Sequence, residues 1–152
     1  MEIKVFGRSK ERREVVEKVA KFYLKQLNLA KSKHKVVITL APHVRRDTNS
    51  NGYFIKIVHG LYQVVLDSRL EMTQFLRTLA HELVHVKQSV RGHYKTEIYK
   101  NGKEKRYWLG KHVVAKYEDQ PWEREAFRRE EELLDVLFRH IAQKEKKAKK
   151  TV

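Results

Sequence analysis

Residues 70–90 read LEMTQFLRTLAHELVHVKQSV, a stretch that predicts one long helix with two unlike faces. When successive residues are placed about 100° apart, Phe75, Leu79 and the other apolar residues fall on one broad arc. His81 and His85 lie on the opposite side of the helix. We therefore expect one face to pack against a core, while the other face carries two imidazoles that are one turn apart.

The segment from His81 to His85 reads HELVH and is an HExxH motif. Its i, i+4 spacing lets both imidazoles reach one metal ion, with Glu82 beside that ion. Zinc is the predicted metal because it suits imidazole and carboxylate ligands and needs no redox partner. Two alternatives stay open at this point: a pair of surface histidines without a metal, and a zinc site that is purely structural.

A catalytic zinc ion is expected to have a third protein ligand, and Glu123 is the residue we predict for it. A helix is predicted to begin at Pro121 and to run to about Ile141. On this helix Glu123 shares one face with core-type residues and a further carboxylate, namely Ala126, Phe127, Leu134 and Glu130. A carboxylate that faces a packed interior needs a partner, and a metal ion supplies one.

Other assignments of the third ligand remain open. His93, His112 or Glu130 could take this position instead. Glu123 could also be a first-turn glutamate that the helix dipole favours. Glu125 lies about 200° from Glu123 on the helical wheel, and we expect it to face solvent.

Composition narrows the kinds of site that the chain can build. The 152 residues include no cysteine, which excludes a disulfide scaffold, a cysteine-ligated zinc site and a cysteine nucleophile. The formal net charge is +15, which predicts attraction to polyanions and makes nucleic acid a further expected partner through the basic surface. No apolar run has the length of a signal peptide or a membrane helix, so we expect no membrane contact and a cytoplasmic location.

The rest of the chain predicts an α+β fold. We predict a helix over residues 10–30 with Ser9 as its N-cap, strands at 36–40, 53–58 and 62–66, and a hairpin at 96–99 and 106–109. These elements give a compact domain whose small, mainly antiparallel sheet packs on the N-terminal helix, the HExxH helix and the C-terminal helix. The domain is predicted over residues 1–143, followed by a basic tail over residues 144–152.

The motif and the residues around Glu123 resemble the zincin metallopeptidases, specifically the gluzincin pattern of HExxH followed by a downstream glutamate. The similarity covers residues 78–85 and 121–126. The chain is also similar to the compact minigluzincins and to small predicted metallopeptidases of phages and other viruses. The resemblance implies that His81, His85 and Glu123 bind zinc and that Glu82 is the general base. It further implies that the strand from Tyr62 to Leu66 forms the edge that pairs with an extended peptide.

The resemblance leaves two roles unassigned. Gluzincins often place an aspartate or asparagine shortly after the third ligand, where it orients the first histidine, but Ala126 and Phe127 stand there in this chain. The residue that stabilises the oxyanion is also open, and four residues are eligible by type: Tyr94, Tyr107, His112 and Tyr117.

The function predicted from these residues is zinc-dependent hydrolysis of peptide bonds, with Glu82 taking a proton from water and passing it to the leaving amine. Two alternatives come from other classes. One is a DNA-associated protease resembling the SprT-like group, in which His93 of the Gly92-His93 pair would be the third ligand. The other is a basic nucleic-acid-binding protein with a structural metal site and no enzymatic activity.

Overall fold

The computed structural model describes residues 1–150 and has the predicted α+β architecture. It contains four α-helices and seven strands within this range. The helices are α1 (Lys10–Gln26), α2 (Val44–Thr48), α3 (Met72–Val90) and α4 (Pro121–Lys150). The strands are β1 (Glu2–Phe6), β2 (Lys35–Ala41), β3 (Gly52–Val58), β4 (Leu61–Asp67), β5 (Tyr94–Ile98), β6 (Glu104–Trp108) and β7 (Lys111–Val113). None of the helices in the described range is long and apolar enough to cross a membrane.

The larger sheet has the strand order β1-β2-β4-β3. The pairings of β1 with β2 and of β2 with β4 are parallel, while β3 runs antiparallel to β4. The smaller sheet, β5-β6-β7, is entirely antiparallel. Antiparallel pairs are therefore the majority over both sheets, but the larger sheet is mixed. β1 was not predicted; its residues alternate between charged and apolar, and it forms the edge of the larger sheet that is paired in parallel.

The prediction that the strand from Tyr62 to Leu66 forms a free edge is wrong. This segment belongs to β4, which is hydrogen-bonded to β2 on one side and to β3 on the other. An incoming peptide needs unpaired backbone groups, which an interior strand does not offer. The edge next to the HExxH helix is β3, because the turn at His59-Gly60 folds β4 back inside it.

The core lies between the larger sheet and the helices α1 and α3. Val36, Ile38 and Leu40 of β2 are buried, while the residues between them are partly exposed. Successive residues of a strand point to opposite faces, so these three side chains point towards the helices. The hydroxyl of the fully buried Tyr23 donates a hydrogen bond to the carbonyl of Leu76 at 3.1 Å, which joins α1 to α3.

The last helix packs against α3 and begins at Pro121, as predicted. The prediction that it ends near Ile141 is wrong, because α4 continues to Lys150. Residues 144–150, predicted as part of a basic tail, are exposed helical residues. Lysine, glutamate and alanine all favour helix, and the positive charges suit the C-terminal end of the helix dipole. Residues 151–152 of the predicted tail lie outside the described residues.

Gly52 allows β3 to pass close beneath α3. A Cβ atom placed on Gly52 would lie 2.7 Å from the backbone oxygen of Val65 and 3.0 Å from Cγ2 of Thr78. Val65 belongs to β4 and Thr78 to α3, so a side chain at residue 52 would separate the edge strand from both neighbours. The glycine thereby sets the distance between the edge strand and the HExxH helix.

Candidate metal centre

The HExxH helix is buried on both of its faces around the motif. His81 and His85 are each 9% exposed, and Glu82 is 6% exposed. The apolar arc of α3 packs towards the sheet and α1, as its periodicity predicts, while the histidine side is covered by α4. The rings of His81 and His85 lie edge to face, with centroids 4.9 Å apart. The two imidazoles are therefore held close together inside the protein, and the surface-pair alternative does not describe them.

Glu123 of α4 lies between the two histidines. Its Oε2 atom is 3.0 Å from Nε2 of His81, and its Oε1 atom is 3.1 Å from Nε2 of His85. Ala126, one turn further along α4, is fully buried and allows the two helices to approach closely. One potential ligand atom from each of His81, His85 and Glu123 lies within 4.8 Å of the others, so this buried group could hold a metal ion.

The Nδ1 atoms of both histidines point away from Glu123 and have acceptors of their own. Nδ1 of His81 donates to Oε2 of Glu130 at 2.5 Å, and Nδ1 of His85 donates to Oε1 of Gln88 at 2.8 Å. Histidines that bind metals characteristically donate their other ring N–H group to such an acceptor, which fixes the tautomer and the ring orientation. Both Nε2 atoms are thereby left to face the position between the histidines and Glu123.

Glu130 is the hydrogen-bond partner that orients His81, the role in which gluzincins often have an aspartate or asparagine. It lies seven residues after Glu123, two turns along the same face of α4, and is only 8% exposed. Glu130 was one of the alternative third ligands. The structure places it behind His81, on the side away from Glu123, as a group that orients the imidazole.

Gln88 links the HExxH helix to the start of α4. This side chain is 1% exposed, and its Nε2 atom donates to the carbonyl of Trp122 at 2.9 Å and to Glu125 at 3.2 Å. Glu125 also pairs with Lys87 at 2.9 Å. The expectation that Glu125 faces solvent is therefore wrong, because α3 extends past it and supplies two hydrogen-bond donors. Gln88 lies three residues after His85, about one turn later on the same face of the helix, and this spacing could have predicted their hydrogen bond.

The charges in this group are strongly coupled. Burial alone would lower the pKa of His81, but the hydrogen bonds to Glu123 and Glu130 outweigh burial and raise that pKa to about 10. Burial also acts to lower the pKa of His85, but the hydrogen bond to Glu123 together with the charges of Glu82 and Glu123 raises it overall. Glu123 is affected in the opposite sense: burial would raise its pKa, but both histidines hold it well below the ordinary value. A metal ion that binds here therefore competes with protons on the imidazoles.

An open cavity of about 520 Å³ lies over the group. Its wall includes all three residues of the group, Glu82, and residues 50–54 at the start of the edge strand β3. Burial, as the largest influence, raises the pKa of the Glu82 carboxyl. The cavity thus places the Glu82 carboxyl beside both the metal-binding group and the edge strand.

Two of the four residues eligible to stabilise an oxyanion line this cavity. They are Tyr94, whose ring packs on Trp122 with centroids 4.9 Å apart, and Tyr117. The hydroxyl of Tyr117 donates to Oε2 of Glu123 at 3.1 Å, and burial together with the charge of Glu123 raises its pKa to about 12. Tyr117 is therefore a neutral donor at the edge of the group.

The other eligible residues lie elsewhere in the described chain. The hydroxyl of Tyr107 contacts Tyr99 and Glu97, and the ring of His112 packs on that of Tyr107 with centroids 5.6 Å apart. The ring of His93 packs edge-on against Trp108, at a centroid distance of 6.1 Å. Within residues 1–150, neither His93 nor His112 belongs to the group that could hold a metal, so the structure does not support them as third ligands.

The donor set fits a transition metal of the zinc type. Two imidazoles and one carboxylate are nitrogen and oxygen ligands of the kind that zinc accepts, and each imidazole has the hydrogen-bonded support that metal sites use.

Comparisons with protein-family models, with curated proteins and with solved structures found no match to this chain.

Proposed function

We propose that this chain is a zinc-dependent peptidase in which His81, His85 and Glu123 hold the metal and Glu82 is the general base. One observation carries the proposal. The three residues that could bind a metal and the carboxylate of the same motif line one cavity, which also reaches a free strand edge. Structural zinc sites are normally closed by four protein ligands, whereas three ligands beside an open cavity are typical of catalytic sites.

Zinc, when bound, supplies a Lewis acid that activates water and polarises the carbonyl to be attacked. Glu82 takes up a proton and delivers it to the leaving amine. Its burial supports this role, because a raised pKa brings a carboxyl group nearer to the range in which it can both accept and release a proton at neutral pH. Glu130 and Gln88 keep the imidazoles of His81 and His85 in one orientation throughout.

The substrate is proposed to bind along β3 rather than along β4. β3 pairs with β4 on one side only, and residues 50–54 line the cavity. An extended peptide can add to such an edge through backbone hydrogen bonds, which places a peptide carbonyl near the metal group without requiring a particular side chain. Tyr117 is the proposed donor to the oxyanion, because its hydroxyl already reaches the carboxylate of Glu123.

Metal analysis of variants tests the ligand assignment. We expect one zinc ion per chain in the wild type, and a loss of zinc in both His81→Ala and Glu123→Ala. Glu132→Ala is the matched control, because Glu132 lies on α4 and, among residues 1–150, its ion pairs are with Arg128 and Arg129 on the surface. A Glu123→Ala protein that keeps one tightly bound zinc ion would contradict the assignment of Glu123.

A further inference from the structure

A second cavity lies where the three parallel strands of the larger sheet end. β1, β2 and β4 run in the same direction, so the loops after Phe6, Ala41 and Asp67 meet at one end of the sheet. These loops and the start of α1 enclose a cavity of about 320 Å³. In open α/β sheets, ligands characteristically bind outside the carboxyl ends of the strands. No described residue lines both this cavity and the cavity over His81, His85 and Glu123.

The polar wall of this cavity is cationic. Its polar residues are Arg8, Ser9, Arg12, His43, Ser68 and Arg69. Each of the three loops contributes at least one residue with a basic side chain. Among residues 1–150, no aspartate or glutamate lines the cavity. An anion that entered it would meet three guanidinium groups and two hydroxyl groups.

The carboxylate of Asp67, next to the lining residue Ser68, is held by backbone N–H groups. Asp67, at the end of β4, accepts hydrogen bonds from the N–H groups of Arg45 and Arg69, each at 2.9 Å. The charge of Arg69 helps to lower the pKa of the Asp67 carboxyl, but no carboxylate among residues 1–150 pairs with the guanidinium of Arg8 or Arg69.

Arg12 is fixed in place while the other two guanidinium groups are exposed. Its Nη1 atom donates to the carbonyl of Leu70 at 2.9 Å, and the guanidinium lies 4.9 Å from the ring centroid of Phe75. One of the three guanidinium groups is thus held in position before any ligand arrives. α1 also begins at Lys10 beside the cavity, so the positive end of its dipole points the same way.

We propose that this cavity binds the phosphate group of a small phosphorylated molecule. Guanidinium groups offer planar pairs of N–H donors that match phosphate oxygens, and several of them around one concave space favour a dianion over a monoanion. The volume is at the lower end of the roughly 300–1,000 Å³ usual for small-molecule sites. A nucleic-acid strand would instead need a basic groove that follows several successive phosphates.

Binding of adenosine 5′-monophosphate and of inorganic phosphate to the full chain tests the proposal, measured by calorimetry at constant ionic strength. We expect saturable binding with one site per chain. Arg8→Gln and Arg69→Gln should each weaken the affinity about tenfold, because each removes a charge-assisted contact. Both side chains are exposed, so these variants should fold normally. His85→Ala should bind as tightly as the wild type, which separates this cavity from the metal group.

Arg46→Gln is the matched control, since Arg46 is exposed on α2 near the same end of the sheet and pairs with Asp47. It should change the affinity less than twofold. An equal loss in Arg46→Gln would show a diffuse effect of net charge and would overturn the proposal. Absence of saturable binding would also overturn it. A twelve-nucleotide strand that binds through Arg8 and Arg69 when neither small ligand binds would assign the surface to nucleic acid instead.

Discussion

Oε2 of Glu130 accepts a hydrogen bond from Nδ1 of His81 at 2.5 Å, and both side chains are buried. The opposite nitrogen of the same ring lies 3.0 Å from Glu123. One face of α4 therefore contacts both nitrogen atoms of a single imidazole, through two carboxylates that are two turns apart. This arrangement fixes the plane of the ring and the nitrogen that it offers to a metal ion.

Removal of Glu130 should weaken metal binding without abolishing it. We expect Glu130→Ala to lower zinc affinity about 10–100-fold, the usual effect of losing the hydrogen-bond partner of a ligating histidine. Competition with a chromophoric chelator measures this affinity. Glu132→Ala, from the exposed face of the same helix, is the control and should leave the affinity unchanged. Complete loss of zinc in Glu130→Ala would indicate that Glu130 is itself a ligand.

Substitution of Gly52 should disturb the edge strand and the site together. Gly52→Ala places a methyl group within 2.7 Å of the Val65 backbone oxygen, and backbone cannot move aside cheaply. We expect a loss of about 1–3 kcal/mol in the free energy of unfolding, in the range of other overpacked positions. Chemical denaturation measures this loss. Gly102→Ala, at an open position of the β5-β6 turn, adds a methyl group that meets no neighbour, so its cost comes from the positive φ of residue 102, about 1–2 kcal/mol, and it should leave the site undisturbed.

Asp67 should make the stability of the fold depend on pH in the acid range. Burial would raise the pKa of this carboxyl, but the backbone hydrogen bonds from Arg45 and Arg69 outweigh burial and lower it. A group whose pKa is lowered by folding contributes stability above its unfolded pKa, near 4, and that stability is lost as pH falls through its folded pKa. Asp67→Asn keeps the shape but loses the charge that both N–H groups contact.

We expect Asp67→Asn to cost about 1–3 kcal/mol at pH 7, in line with other weakened buried hydrogen bonds, and progressively less as pH falls below about 4. Urea denaturation of wild type and variant at several pH values measures the difference. A difference that stays constant from pH 7 to pH 2 would show that ionised Asp67 is not the stabilising species.

Local periodicity predicted the parts of the site that lie on one helix. The HExxH spacing placed His81 and His85 on one face, and the proline at residue 121 marked the start of α4. The side of α4 that carries Glu123 also carries Glu130, and the structure brings both to His81. These relationships depend on the helical period of 3.6 residues, so residues that share a face can be identified from their spacing in the sequence.

Relationships between distant elements were not predictable in this way. The order of strands follows from long-range pairing, so the interior position of β4 and the edge position of β3 could not be read from neighbouring residues. The parallel pairing of β1 with β2 depends on α1 connecting them across the sheet. Glu125 was expected in solvent because a helical wheel of α4 alone does not show that Lys87 and Gln88 of α3 extend past it.

The proposed peptidase activity depends on Glu82, and the Glu82→Gln variant tests it most directly. Peptide hydrolysis by the zinc-loaded wild type and variant should be compared on an unstructured protein substrate, with zinc content measured on the same samples. We predict that the variant keeps its zinc ion and its fold but loses at least about 100-fold in turnover, the scale of general-base catalysis. Equal turnover by the two proteins at equal zinc content would contradict the proposed mechanism.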